Sequence, residues 1–156
     1  MNKQNFKLIA PFSGKTINLD LVPDPIFSER LTGDGLAVLT DSAEVLAPCD
    51  GEITLFFDTK HAFAITTDDG IQVLVHVGLD TVLLNGEGIT ALHKYGDRVK
   101  AGTPILKLDL EVFRKHDINL ISPVLIVNQD KVSELNPHKT DDYIEAGKDT
   151  ILEFAI

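Results

Sequence analysis

The 156-residue chain has one cysteine, one methionine, no tryptophan and only 6% aromatic residues, and positive charge is scarce, with 14 Lys and Arg against 24 Asp and Glu. A single thiol, Cys49, excludes an intrachain disulfide, a tetrahedral cysteine zinc site and a Cys-x-x-Cys redox motif. It fits a reducing cytoplasm, the expected location. The formal net charge of -10 argues against nucleic acid or an anionic membrane as partner, and favours solubility and docking to a basic protein surface. No apolar run approaches the ~20 residues that span a bilayer, and Met1 to Lys7 is polar, so no direct membrane insertion is expected. There is no Gly-x-Ser-x-Gly elbow, zinc-protease helix motif or calcium loop. Gly33-Asp34-Gly35 and Gly86-Glu87-Gly88 lack the third glycine or the Gly-Lys-Ser/Thr of a nucleotide-phosphate cradle and read as turns.

What is present is a hydrophobic fraction of 44%, enough for one core, broken into short apolar stretches by turn signals such as Ser13-Gly14, Asp50-Gly51, Asp69-Gly70, Asn85-Gly86 and Ala101-Gly102. This is an all-β pattern, expected as an antiparallel β-sandwich or barrel forming one domain over residues 1–156, with 1–7 a flexible N-terminus. Helical patterning is confined to Leu110–His116 and Lys131–Leu135, with a single turn at Ile26–Arg30 after Pro23 and Pro25. Two motifs occur twice. Leu8-Ile-Ala-Pro-Phe-Ser-Gly14 matches Val45-Leu-Ala-Pro-Cys-Asp-Gly51, and Val99-Lys-Ala-Gly-Thr-Pro-Ile-Leu106 matches Ile144-Glu-Ala-Gly-Lys-Asp-Thr-Ile-Leu152. The spacing suggests a duplicated β motif whose halves intertwine, against the alternative of coincident turn chemistry.

The chemistry concentrates at two histidines. Thr59–Thr67 and Ile71–Gly78 read as strands joined by Asp69-Gly70. A two-residue loop would set Phe63 opposite His76 and His61 opposite Gly78. His61 and His76 then become diagonal neighbours on one face with Phe63 and Leu74, and Ala62, Ala64, Val73, Val75 and Val77 lie on the other. A three-residue loop or a bulge would instead send the two histidines to opposite faces. Neutral imidazole carries a lone pair on one nitrogen and a proton on the other near physiological pH, which suits His76 to phosphoryl relay. Thr59, two residues before His61, is placed to bond its ring and fix its tautomer. Asp80, where the second strand runs out, offers a carboxylate at the rim of the site or simply makes a turn. Asp24, on the proline-bracketed loop, is similarly ambiguous. His93, His116 and His138 read as surface or satisfied residues.

Val22-Pro-Asp-Pro-Ile-Phe27, Gly33-Asp-Gly35, Ala47-Pro-Cys-Asp-Gly51, Thr59-Lys-His-Ala-Phe63, His76-Val-Gly-Leu-Asp-Thr81 and Leu84-Asn-Gly-Glu-Gly88 together resemble the glucose-type IIA component of the bacterial phosphoenolpyruvate-dependent sugar phosphotransferase system. The resemblance runs from about Leu8 to the end of the chain. It implies a shallow apolar depression around the two histidines and a phosphocarrier that takes its group from the carrier protein HPr. That group goes on to the cysteine of a sugar-specific IIB domain acting in trans, with no cofactor required beyond the transient phosphoryl group. His76 matches the phosphorylated histidine, His61 the histidine that stabilises the phosphoryl group, and Thr59 the threonine that orients it. Ile26, Phe27, Phe57 and Leu74 correspond to the apolar rim on which partners dock, with Asp24 and Asp80 accepting arginines of both partners. Relatives also bind incidental zinc through the two histidines and regulate transporters and enzymes. Met1 to Lys7 departs from relatives that carry an amphipathic membrane-contacting segment.

Two other classes compete. A zinc-dependent hydrolase would use His61, His76 and Asp80. A biotinyl- or lipoyl-type carrier would share Ala-Pro-x-x-Gly and Val-Lys-Ala-Gly, but the chain has no Met-Lys-Met or Asp-Lys-Ala.

Overall fold

A computed structural model describes residues 4–156. In chain order these form β1 (Asn5–Ile9), β2 (Gly14–Ile17), a 3-10 turn (Leu19–Leu21), α1 (Pro25–Ser28), β3 (Asp34–Thr40), β4 (Glu44–Leu46), β5 (Gly51–Phe56), β6 (Ala62–Thr66) and β7 (Gln72–His76). A second 3-10 turn (Thr81–Leu84) leads to β8 (Ile89–Ala91), β9 (Arg98–Val99), β10 (Pro104–Leu108), α2 (Leu110–Lys115), β11 (Ile121–Ile126) and a third 3-10 turn (Gln129–Lys131). β12 (Glu134–Pro137), β13 (Tyr143–Ile144) and β14 (Thr150–Ala155) close the chain. Strand pairing among the described residues is antiparallel, in an eight-stranded sheet ordered β13-β2-β3-β11-β7-β6-β5-β9 and two three-stranded sheets, β1-β14-β12 and β4-β10-β8.

The duplication read in the sequence is physical. Ile144 of β13 faces Gly14 at the start of β2, and Val99 of β9 faces Gly51 at the start of β5, while β1 lies against β14 as β4 lies against β10. The main-chain bonds repeat as well. Ala10 N–H donates to the Asp149 carbonyl and Ala47 N–H to that of Thr103, each at 2.8 Å. Gly147 and Gly102 donate back to the carbonyls of Ala10 and Ala47 at 3.0 and 2.8 Å. The copies also bind each other reciprocally, Ile9 N–H to the Pro48 carbonyl at 3.0 Å and Leu46 N–H to the Pro11 carbonyl at 2.8 Å.

The eight-stranded sheet is covered on both faces, which is why β6 and β7 read as continuous apolar runs. One face carries Phe63, Ile65, Val73 and Val75 into the main core with Phe12, Phe113 and Ile105. The other carries Ala62, Ala64 and Leu74 into a smaller core with Leu19, Val22 and Phe27. The alanines let the first 3-10 turn and α1 approach the sheet closely.

Three expectations are corrected. The hairpin loop has three residues, Asp68-Asp69-Gly70, closed by Thr67 N–H to the Ile71 carbonyl at 2.9 Å, with Gly70 at φ 84°. The register is therefore Ala62↔His76, Phe63↔Val75 and Ala64↔Leu74, one step from that of a two-residue loop. Phe63 leaves the histidine face, and Ala62 and Ala64 join it. The helix expected at Lys131–Leu135 is replaced by the third 3-10 turn and β12, since Val132 and Leu135 reach the core from an extended chain paired with β14. At the N-terminus, where residues 1–7 were expected to be flexible, Asn5 to Lys7 are paired in β1 with Ala155, Phe154 and Glu153; Met1 to Lys3 lie outside the described residues.

A Cβ at Gly14 would stand 2.1 Å from the Leu39 carbonyl oxygen, and one at Gly51 would stand 2.4 Å from that of Thr66. Both obstacles are backbone of the neighbouring strand, so the strand itself must shift. Gly14→Ala and Gly51→Ala are each expected to cost about 3 kcal/mol in urea unfolding. Tolerance of alanine at one site but not the other would break their equivalence.

Candidate functional site

His76 is the last residue of β7, half-buried, with the chain beyond it turning at Gly78 (φ 68°). Its Nδ1 lies 2.8 Å from the Gly78 carbonyl oxygen. A carbonyl only accepts, so Nδ1 carries the proton, and the neutral ring is left with its lone pair on Nε2. His61 precedes β6. Lys60 takes a left-handed conformation (φ 63°) in a tight turn closed by Lys60 N–H to the Phe57 carbonyl at 2.8 Å, and His61 escapes the strand's alternation of side chains. The two imidazoles therefore meet even though the three-residue loop moved the register: their ring centroids are 5.0 Å apart with planes at 78°. Thr59 Oγ1 is 2.6 Å from His61 Nδ1, as expected.

Each imidazole has an aromatic edge against it, Phe27 on His76 and Phe57 on His61, both with centroids at 5.0 Å. His61 is only 4% exposed and His76 is half-buried, so neither ring is freely solvated. Burial holds both below the ordinary imidazole range. The His61 value falls to about 4 through burial and then the neighbouring His76. His76 is also lowered by burial, opposed by its bond to Gly78 and by the charges of Asp24 and Asp80. Both rings are thus kept neutral at physiological pH.

The apolar rim divides. Ile26 and Phe57 are exposed, whereas Phe27 and Leu74 are buried beneath His76 and serve as floor. Asp24 caps α1, its carboxylate accepting from Ile26 N–H at 3.1 Å, and Asp80 is exposed in a left-handed turn. An open depression of ≈ 580 Å³ is lined by Phe56, Phe57, Asp58, Thr59, His61 and Val82, on the His61 side of the pair. The reading from sequence passed over Val82, although the adjacent apolar residues Val82 and Leu83 in a turn, 52% and 79% exposed, were a signal for it. It also passed over Ser122, whose Oγ accepts from Gly78 N–H at 2.8 Å; a contact 44 residues distant leaves no trace in local pattern.

The hydrolase triad is not assembled, because no three His, Cys, Asp or Glu side chains converge as metal ligands among the described residues. Zinc between His61 and His76 would need further ligands from a partner. His93 sits 3.1 Å from Asp97, His138 2.7 Å from Asp142 and His116 3.6 Å from Glu87, so each of the other histidines has a carboxylate neighbour. Cys49 is buried, its thiol pushed up to about 12 chiefly by that burial, which makes it a poor nucleophile. No described helix is long and apolar enough to cross a membrane.

Because both active-face histidines have lowered values, the unfolded chain takes up protons first as pH falls. The stability due to the neutral rings is complete above about pH 6.5 and is lost progressively toward pH 4. NMR titration should find His61 neutral down to about pH 4. A His61 midpoint near 6.5 would mean a solvated ring.

Residues 6–132 match the family described as phosphoenolpyruvate-dependent sugar phosphotransferase system, EIIA 1. The glucose-specific EIIA component of Borreliella burgdorferi is 48% identical over 128 residues, covering 82% of this chain and 68% of that one. The corresponding component of Oceanobacillus iheyensis is 40% identical over 146 residues, covering 94% and 88%. The glucose permease IIA of Mycoplasma capricolum superposes with a TM-score of 0.87 at 35% identity, covering 96% of each chain, and shares the β-sandwich. The biotinyl- or lipoyl-carrier reading gains no support from these relatives. The chain belongs to the EIIA 1 family of the phosphoenolpyruvate-dependent sugar phosphotransferase system and is a phosphotransferase component that carries a phosphoryl group in sugar uptake.

Proposed function

We propose that His76 Nε2 is the phosphorylated atom, accepting the group from phospho-HPr and passing it to the cysteine of a IIB domain in a glucose-type permease. The observation that carries this reading is the Gly78 carbonyl on His76 Nδ1, which leaves Nε2 as the nucleophile, with His61 beside it. In the first step the Nε2 lone pair attacks phosphorus, the P–N bond of the donor breaks, and its electron pair returns to the donor imidazole. In the second a thiolate attacks, and the pair returns to His76. With Thr59 donating to His61 Nδ1, His61 would present Nε2–H to the phosphoryl oxygens, where fixed donors lower the barrier most.

Partners would dock on the apolar surface of Ile26, Phe57 and Val82, and their arginines would meet Asp24 and Asp80 and neutralise the transferring group. The apolar surface and the acidic rim support that complementarity. The whole chain would act as one IIA domain in the cytoplasm. The glucose-specific names of the relatives support glucose or a similar sugar as the transported species, although the sugar itself never reaches this protein.

The test is phosphoryl labelling from phosphoenolpyruvate through the first enzyme of the system and HPr. One acid-labile phosphate per chain is expected, and His76→Ala should remove it. His61→Gln should still accept label but donate it to IIB at least ~100-fold more slowly, the scale of a lost oxyanion donor. Label persisting in the His76→Ala chain would move the nucleophile elsewhere.

A further inference from the structure

We propose that Ser122 and Thr81 are positioning residues for phosphoryl transfer: their buried hydroxyls clamp the Val77–Gly78 peptide, and that peptide aims the carbonyl holding His76 Nδ1. This rests on His76 as the reacting residue. Pairing between β7 and β11 runs through Val75↔Val124, and the same register carried one step further sets His76 against Pro123, which has no N–H to offer. Beyond that point side chains take over. Gly78 N–H donates to Ser122 Oγ at 2.8 Å, and the Ser122 hydroxyl donates onward to the Leu120 carbonyl at 2.9 Å, so its lone pairs are free to accept. At the other end of the same peptide the Thr81 hydroxyl donates to the Val77 carbonyl. Ser122 and Thr81 are both fully buried.

The following peptide is held just as fully. Its carbonyl, that of Gly78, accepts from His76 Nδ1–H at 2.8 Å, and its N–H, that of Leu79, donates to the Asn119 carbonyl at 2.8 Å. A Cβ at Gly78 would stand 2.7 Å from Thr81 Oγ1 and 2.9 Å from the Asn119 oxygen, so the turn is packed tightly around these groups. Without the Ser122 hydroxyl a buried N–H loses its partner, and the cheapest relief is rotation of the peptide. The Gly78 carbonyl then swings off Nδ1. The Nδ1–H tautomer loses its advantage, and the Nε2 lone pair loses its aim at phosphorus.

The experiment compares Ser122→Ala with Ser122→Thr in the full chain, using two readouts. On unphosphorylated protein, 15N spectra of labelled histidine report the His76 tautomer. The expected result is an Nδ1-protonated ring in the parent chain and in Ser122→Thr, and mixed tautomers in Ser122→Ala. Uptake of phosphoryl from phospho-HPr should fall about 10-fold in Ser122→Ala and recover in Ser122→Thr, the scale of outer-shell positioning effects. Should Ser122→Ala fail to fold, Thr81→Val removes the other hydroxyl at constant shape and should show the same tautomer mixing. An unchanged tautomer, with or without slower transfer, overturns the proposal by reducing Ser122 to a structural group. Failure of both variants to fold overturns it too, since the hydroxyls would then hold the fold and not the ring. The tautomer readout needs no phosphorylation, so it is independent of whether label remains in His76→Ala.

Discussion

The hydrogen bond from His76 Nδ1 to the Gly78 carbonyl, 2.8 Å long, is the constraint on which the proposed chemistry depends. An unconstrained imidazole divides between two tautomers and rotates; a carbonyl, unable to donate, selects one tautomer and one orientation. Everything near this bond serves that selection. The strand stops at His76, glycine supplies the left-handed turn that brings its own carbonyl back over the ring, and burial keeps the ring neutral and nucleophilic. The acidic residues nearby pull the other way, toward a charged imidazolium, and burial outweighs them.

The fold supplies stiffness where the site needs it. β7 and β6 lie inside the eight-stranded sheet, away from its edges, with apolar layers on both faces. Interior strands cannot slip or fray without breaking two ladders. The duplicated motifs brace the ends of that sheet, their reciprocal bonds between Ile9 and Pro48 and between Leu46 and Pro11 locking the halves together. Acidic charge is left to the surface, where it would suit the proposed binding and release of basic partners.

Much of this was legible in the chain. The repeated Ala-Pro and Ala-Gly units announced the two equivalent halves, because turn chemistry and strand periodicity are local properties. The contact between Thr59 and His61 was legible for the same reason, and Thr59 does bond His61 across two positions. The hairpin was visible too, but not its register, since Asp69-Gly70 is compatible with a loop of two residues or three. Thr67 decides between them by accepting from Ile71 N–H through its hydroxyl while its own N–H pairs with the Ile71 carbonyl.

Sequence alone determined that this is an antiparallel β protein with a duplicated motif, and it marked His61 and His76 as the candidate pair, because alternation, turn residues and short spacings are written within a few positions of one another. Tertiary structure decided which way each ring faces. His61 reaches its partner through a left-handed turn at Lys60, not through strand pairing, and Phe27 replaces Phe63 as the wall beside His76. Ser122 reaches Gly78 from another strand, 44 residues along the chain. Such contacts depend on how strands lie side by side, and a geometry set by packing across the sheet has no counterpart in the order of neighbouring residues.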